Sequence, residues 1–239
     1  TLEGISNIQG DFQCKDYFYV KEFVMPFIRV AGNMTIALNS GSVNTEAEIE
    51  FPNLLEIGGT LTLENNKNAN NITFPSLKKI LGSCSVTTSH LKNDIEFTNL
   101  ESIGTDGANA QIKFEIDGTN ILCPKLKTIN GKFDITTSTV IFDMEADQVS
   151  YPNVESISEN LSITCPYSDF GSNGILSIDF SGLKSVKGIS ISGQGDVTDF
   201  SSFKYLFENN VLTGESQWSV RECAYNPTYQ DMKNGKYKQ

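Results

Sequence analysis

Phe51-Pro52-Asn53-Leu54-Leu55-Glu56-Ile57 returns as Phe74-Pro75-Ser76-Leu77-Lys78-Lys79-Ile80 and again as Phe97-Thr98-Asn99-Leu100-Glu101-Ser102-Ile103. Cys123-Pro124-Lys125-Leu126-Lys127-Thr128-Ile129, Tyr151-Pro152-Asn153-Val154-Glu155-Ser156-Ile157 and Phe180-Ser181-Gly182-Leu183-Lys184-Ser185-Val186 continue the series. The phrases start at 51, 74, 97, 123, 151 and 180, at intervals of 23, 23, 26, 28 and 29 residues. A fixed period in this range marks a stacked repeat, in which each unit buries its apolar side against its neighbours. Val24, Phe27 and Val30 fill the same slots earlier, as do Leu2, Ile5 and Ile8, and Phe200, Phe203 and Leu206 fill them late. Nine units result, the first and last being atypical, as terminal repeats usually are.

Each phrase is followed by a turn and then by strict alternation. Gly58-Gly59 leads into Thr60-Leu61-Thr62-Leu63, Gly131 into Lys132-Phe133-Asp134-Ile135-Thr136, and Gly188 into Ile189-Ser190-Ile191-Ser192. Alternation with period two predicts a strand with one dry and one wet face. The glycines fit turns where a side chain would clash or φ must be positive. A second strand precedes each phrase, as in Glu48-Ile49-Glu50-Phe51 and Asn71-Ile72-Thr73-Phe74. Each coil therefore contributes at least two short strands, and stacking the coils aligns equivalent strands in parallel sheets. Proline in the second slot suits a strand end or corner, where its missing N–H need not pair. A helical leucine-rich repeat is the competing architecture, but the return limb here is β-branched and reads as strand.

The expected fold is all-β: a right-handed parallel β-solenoid over residues 1–210, of about nine coils, with a short capping helix. A C-terminal cap and tail follow at 211–239. Ser201–Asn210 reads as the helix, with Ser202 as its N-cap and Trp218 covering the last coil. Lys15–Phe23 is read as an insertion covering the first coil.

The phrase F-P-N-L-x-x-I-G-G-x-L-x-L resembles the receptor L-domain of the insulin and epidermal growth factor receptor ectodomains. It also resembles the L-domain-like, leucine-rich-repeat-like surface proteins of gut Bacteroidetes and of fungal cell walls. The resemblance spans about residues 2 to 206. The receptor versions carry a cysteine-rich module that this chain lacks, which argues against a growth-factor-receptor role. The ending Cys223-Ala224-Tyr225-Asn226-Pro227-Thr228-Tyr229 resembles those of Bacteroides-type surface lipoproteins. It implies an exported protein at the cell surface or outer membrane, with a lipid anchor upstream of Thr1.

The 239 residues carry a net charge of −11 and a pI of about 4.6. Nucleic-acid binding wants a basic face and is not expected. No transmembrane run or signal peptide is present, and the start at Thr1 reads as a trimmed form. Cys14, Cys84, Cys123, Cys165 and Cys223 include no CxxC pair. Cys84 and Cys123 stand in slots filled elsewhere by Leu and Phe and read as small buried hydrophobes. Asn33-Met34-Thr35, Asn71-Ile72-Thr73 and Asn160-Leu161-Ser162 are glycosylation sequons, which matter only in a eukaryotic source.

No catalytic residues, metal ligands or cofactor are expected. His90 is the one histidine and reads as a solvated turn residue. Glu115, Asp117 and Asp134 fall on neighbouring coils and Glu64 lies further away; two carboxylates about 5 to 9 Å apart would suit glycoside hydrolysis. Lys113 and Lys132 beside them fit a balanced, solvated face instead. The two longest coils carry extra residues after the alternating strand. These insertions bring Phe142, Met144, Glu145, Tyr167, Asp169 and Phe170 to one rim, the candidate ligand-binding site, or else form a satellite core. The expected function is non-catalytic recognition or adhesion by a monomer that binds an extracellular glycan or protein. A polysaccharide-active enzyme and a structural envelope component are the alternatives.

Overall fold

The computed structural model describes residues 4–15, 22–37, 47–64, 66, 69–88, 93–107, 109–116, 119–137, 148–165, 175 and 177–239. Three parallel sheets wrap a single interior. A corner sheet stacks seven two-residue strands, which are Asn7–Ile8, Arg29–Val30, Glu56–Ile57, Lys79–Ile80, Ser102–Ile103, Thr128–Ile129 and Ser156–Ile157. A long sheet stacks nine strands from Phe12–Lys15 to Trp218–Cys223. The third sheet holds Glu22–Val24, Ala47–Glu50, Ala69–Thr73, Ile95–Glu96 and Ile121–Leu122. Beyond a break, Gln148–Ser150 and Ser177–Asp179 pair separately. The chain visits corner, long and third sheet in turn, making a parallel β-solenoid of about six turns rather than the nine coils expected. The late unit at Phe200, Phe203 and Leu206 adds no coil. Its three-residue spacing also suits a helix, and it forms the 3-10 turn Ser201–Phe203 and the helix Lys204–Glu208.

The phrase is a corner with a fixed chemistry. Phe51, Leu54 and Ile57 are fully buried. The Leu54 N–H donates to the Phe51 carbonyl, and the same bond recurs at Leu77, Leu100, Leu126, Val154 and Leu183. This is a β-turn with proline at its favoured second position. The proline carbonyl is met by the next coil: Ser76 Oγ donates to Pro52 O (2.6 Å), Asn99 Nδ2 to Pro75 O (2.6 Å) and Asn153 Nδ2 to Pro124 O (2.8 Å). The third slot therefore favours Asn or Ser. At the next corner steric closeness selects glycine at Gly58 and Gly131, and a positive φ of 80° adds to it at Gly104. A Cβ on Gly58 would lie 2.2 Å from Ala31 O, and one on Gly131 would lie 2.0 Å from Ala110 O.

Inside, like stacks on like. The rings of Phe51, Phe74 and Phe97 lie nearly parallel, with centroids 5.1 Å apart at each step. They share the interior with small and aliphatic long-sheet residues such as Leu63, Cys84 and Val86, all buried. Where Cys123 takes the aromatic slot, the bulk moves across the core. Phe114 and Phe133 arrive on the long sheet and contact each other and Tyr151. Cys84 and Cys123 are buried as expected, and burial pushes both thiols up. None of the five cysteines is in a disulfide.

One expectation about the ends is corrected, and the bounds of another are narrowed. Ser202 is not the helix cap; its hydroxyl donates to Ile178 O, while Asp199 Oδ1 accepts the Ser201 N–H at 2.8 Å. The aspartate stands just before the turn and reaches its first free N–H more directly. In the Lys15–Phe23 segment, Lys15 closes a long-sheet strand and Phe23 lies within the edge strand of the third sheet, packed near Phe12 and Phe51. Residues 16–21 lie outside the described residues. Trp218 does close the far end, against Phe200, Phe203 and Phe207, and its Nε1 donates to Pro227 O at 2.9 Å. It does so from within the ninth long-sheet strand.

Tyr151 marks the break in the third sheet. The carbonyls of Asn120 and Leu122 accept bonds from the previous coil, at Ile95 and Phe97. The Tyr151 hydroxyl donates to the intervening carbonyl, that of Ile121, at 3.1 Å. Replacing Tyr151 with Phe leaves that buried acceptor unmet, at an expected cost of about 1–3 kcal/mol. Urea unfolding of Tyr151→Phe beside the wild type measures it, and an unchanged midpoint refutes this role.

Candidate functional site

The rim residues Phe142, Met144, Glu145, Tyr167, Asp169 and Phe170 lie outside the described residues, as do His90 and Asp117. The points where the two insertions leave and rejoin the coil are described. One leaves the strand Gly131–Thr137 and the other leaves Asn160–Cys165, and these strands pair in register from Phe133↔Leu161 to Thr136↔Thr164. They rejoin at Gln148–Ser150 and Ser177–Asp179, which also pair in register. Both insertions are thus rooted on adjacent rungs at both of their ends.

The outward face of the long sheet holds the carboxylates. Lys113, Asp134, Ser162, Ser190 and Ser219 follow one another in a single column. Glu115 forms an ion pair with Lys113 and accepts the Thr87 hydroxyl at 2.8 Å; Asp134 pairs with Lys132 at 2.9 Å. The Lys113 ammonium, helped by Thr87, holds the Glu115 carboxyl below its ordinary range against the opposing pull of partial burial. A glycosidase acid needs the opposite shift. The arrangement is that of a charge-balanced surface. Among the described residues, the outward columns of strands Cys84–Thr87 to Gly188–Gly195 carry hydroxyls, amides and charges but no aromatic ring.

One feature is not legible along the chain. A concavity of about 480 Å³ opens where the last long-sheet strands begin, between Lys132, Asn160, Ser162, Lys187, Ser190 and Ser219. One wall is the 3-10 turn Glu215–Gln217, brought back from the C-terminal segment. Among the described residues no group of three or more His, Cys, Asp or Glu side chains could hold a metal ion. Among them, too, no helix is long and apolar enough to cross a membrane.

Comparison with known proteins gives no relative: no family model, no curated protein and no solved structure matches the chain. Function must therefore be read from the fold and its surfaces.

The Glu115 shift has a testable sign. A carboxyl depressed in the folded state contributes stability above its unfolded value of about 4.3 and loses it as pH falls through the folded value. The group is partly exposed, so the contribution is under about 1 kcal/mol. Glu115→Gln is expected to be less stable than wild type by that margin at neutral pH. The two chains should converge as the pH drops below the carboxylate range, which urea unfolding across pH tests.

Proposed function

We propose that the chain is a non-catalytic recognition or adhesion protein, exported and held at the cell surface or outer membrane, that binds an extracellular glycan or protein. Its phrase resembles that of the receptor L-domain and of leucine-rich-repeat-like surface proteins of gut Bacteroidetes, and its ending resembles those of surface lipoproteins. The observation that carries the reading is the rooting of the two longest insertions on adjacent, in-register rungs of a packed scaffold. A rigid frame that holds variable loops side by side is the usual setting of a binding site. The insertions contain Phe142, Met144, Glu145, Tyr167, Asp169 and Phe170, a mixture of apolar anchors and carboxylates suited to a partner surface. The ion pairing of Glu115 and Asp134 disfavours the reading as a polysaccharide-active enzyme.

The test is a binding screen of the purified chain against an array of glycans and matrix proteins, beside a Phe142→Ala/Tyr167→Ala/Phe170→Ala variant. A ligand bound by the wild type and lost in the variant, with unfolding unchanged, is expected. A ligand that survives the substitutions removes the rim from the proposal, and no ligand on the array refutes adhesion to these classes.

A further inference from the structure

The corner glycines are not all alike. At Gly59 a Cβ would lie 2.5 Å from Asn33 Oδ1 and 2.8 Å from Gly32 C, and at Gly82 it would lie 2.6 Å from Gly59 C. Together with Gly58 and Gly131, these positions are glycine because backbone fills the space. Gly188 lies one residue past that slot, in register with Asn160 and, through it, with Lys132, positions that carry side chains on their own coils. The nearest neighbours of an added Cβ would be Asn160 Oδ1 at 3.1 Å and Gln217 O at 3.4 Å, and its φ is not positive. Packing therefore comes close to accepting a side chain there. Its absence keeps open the floor of the concavity between Asn160, Ser190 and Ser219.

The wall opposite is fixed. Gln217 Oε1 accepts the N–H groups of Thr213 (2.7 Å) and Gly214 (3.0 Å), and its Nε2 donates to Lys187 O at 2.9 Å. The side-chain amide is thus committed to holding the turn against the sheet. Across the floor, the hydroxyls of Ser162, Ser190 and Ser219 stand on successive rungs, about 4.8 Å apart. At the margin, Lys132 is paired with Asp134 at 2.9 Å and Lys187 with Glu159 at 2.5 Å. The site thus presents donors and acceptors of both signs, with each of its two lysines charge-compensated.

We propose that this concavity is a binding site for a neutral saccharide unit, separate from the loop rim and at the opposite end of the same strands. A sugar hydroxyl both donates and accepts, and so matches hydroxyls, an amide and paired ions together. An anionic ligand would find both ammonium groups already neutralised and a chain of net charge −11 around it. The volume lies within the ~300–1,000 Å³ range of small-ligand clefts. Among the described residues no aromatic ring lines the concavity, so single-site affinity is weak and display in many copies would strengthen attachment.

The experiment is an amide-resolved NMR titration of the whole chain with maltotetraose, cellotetraose, mannotetraose and chitotetraose at millimolar concentration, with hyaluronan tetrasaccharide as the acidic counterpart. Expected are shifts confined to Asn160, Ser162, Gly188, Ser190 and Ser219 with at least one neutral sugar. In Gly188→Gln, whose side chain occupies the floor, the dissociation constant should rise by at least about tenfold, with little change in unfolding midpoint. Gly58→Ala is the contrast and should lower the midpoint clearly. If Gly188→Gln folds poorly, Ser162→Ala/Ser190→Ala decides, because both side chains point outward. No shift with any neutral sugar, shifts elsewhere, or a response to hyaluronan alone overturns the proposal. The Phe142→Ala/Tyr167→Ala/Phe170→Ala variant keeps this binding, so loss of the rim and loss of this site read out separately.

Discussion

Ring stacks on ring, one coil above the next, through the heart of this molecule. The rung spacing of a parallel sheet, about 4.8 Å, is close to the 5.1 Å separation of the Phe51, Phe74 and Phe97 rings. A flat ring in one coil therefore finds a flat ring in the next at contact distance without tilting the chain. The constraint is that each layer of the core must hold a nearly constant volume. Cys123 breaks the ring column, and Phe114 and Phe133 restore the lost volume from the opposite sheet. The exchange depends on the whole coil and could not be made one slot at a time without leaving a cavity or a clash.

The corners obey a second constraint, the pairing of backbone groups that no sheet can reach. Proline removes one donor at the turn and leaves a carbonyl, which Ser76, Asn99 or Asn153 of the following coil satisfies. The next corner brings backbone against backbone, so that Gly58 and Gly131 have no room for a side chain. Phrase and core thus specify each other: the paired rungs set a distance between coils that stacked rings fill, and that distance selects the small and amide-bearing residues at the bends.

Much of this is legible in the sequence because it repeats. Phe51, Leu54 and Ile57 announce the coil, and the alternation of Leu61-Thr62-Leu63 announces the long sheet. The corner sheet is not, since strands as short as Glu56–Ile57 cannot display a period of two. The ninth long-sheet strand is silent because Trp218–Cys223 follows no phrase and alternates weakly. Ser202 reads as a cap from its place before an apolar run, whereas Asp199 holds the turn. The rim comes from insertion lengths, a signal that locates loops but says nothing of how their side chains meet. The concavity lies beyond linear reading for two reasons. Its wall is carried back by Gln217 from the tail, and its floor is an absent side chain at Gly188 that looks in sequence like any other corner glycine.

The break in the third sheet also gives the rod a mechanical character. The long sheet runs past it without interruption, joined across seven residue pairs from Ala110↔Gly131 to Ile116↔Thr137. Among the described residues, the third sheet has no ladder between Ile121–Leu122 and Gln148–Ser150. A beam continuous along one side and cut along another is stiff in tension on the first and compliant in bending about it. Load applied along the axis is carried by the long sheet as by a spine, with the corner sheet, also unbroken past the cut, beside it. Flexure concentrates at the cut, where the Tyr151 hydroxyl bridges the two halves. The two long insertions leave the spine on the far side of that cut, so bending there tilts the roots of both together.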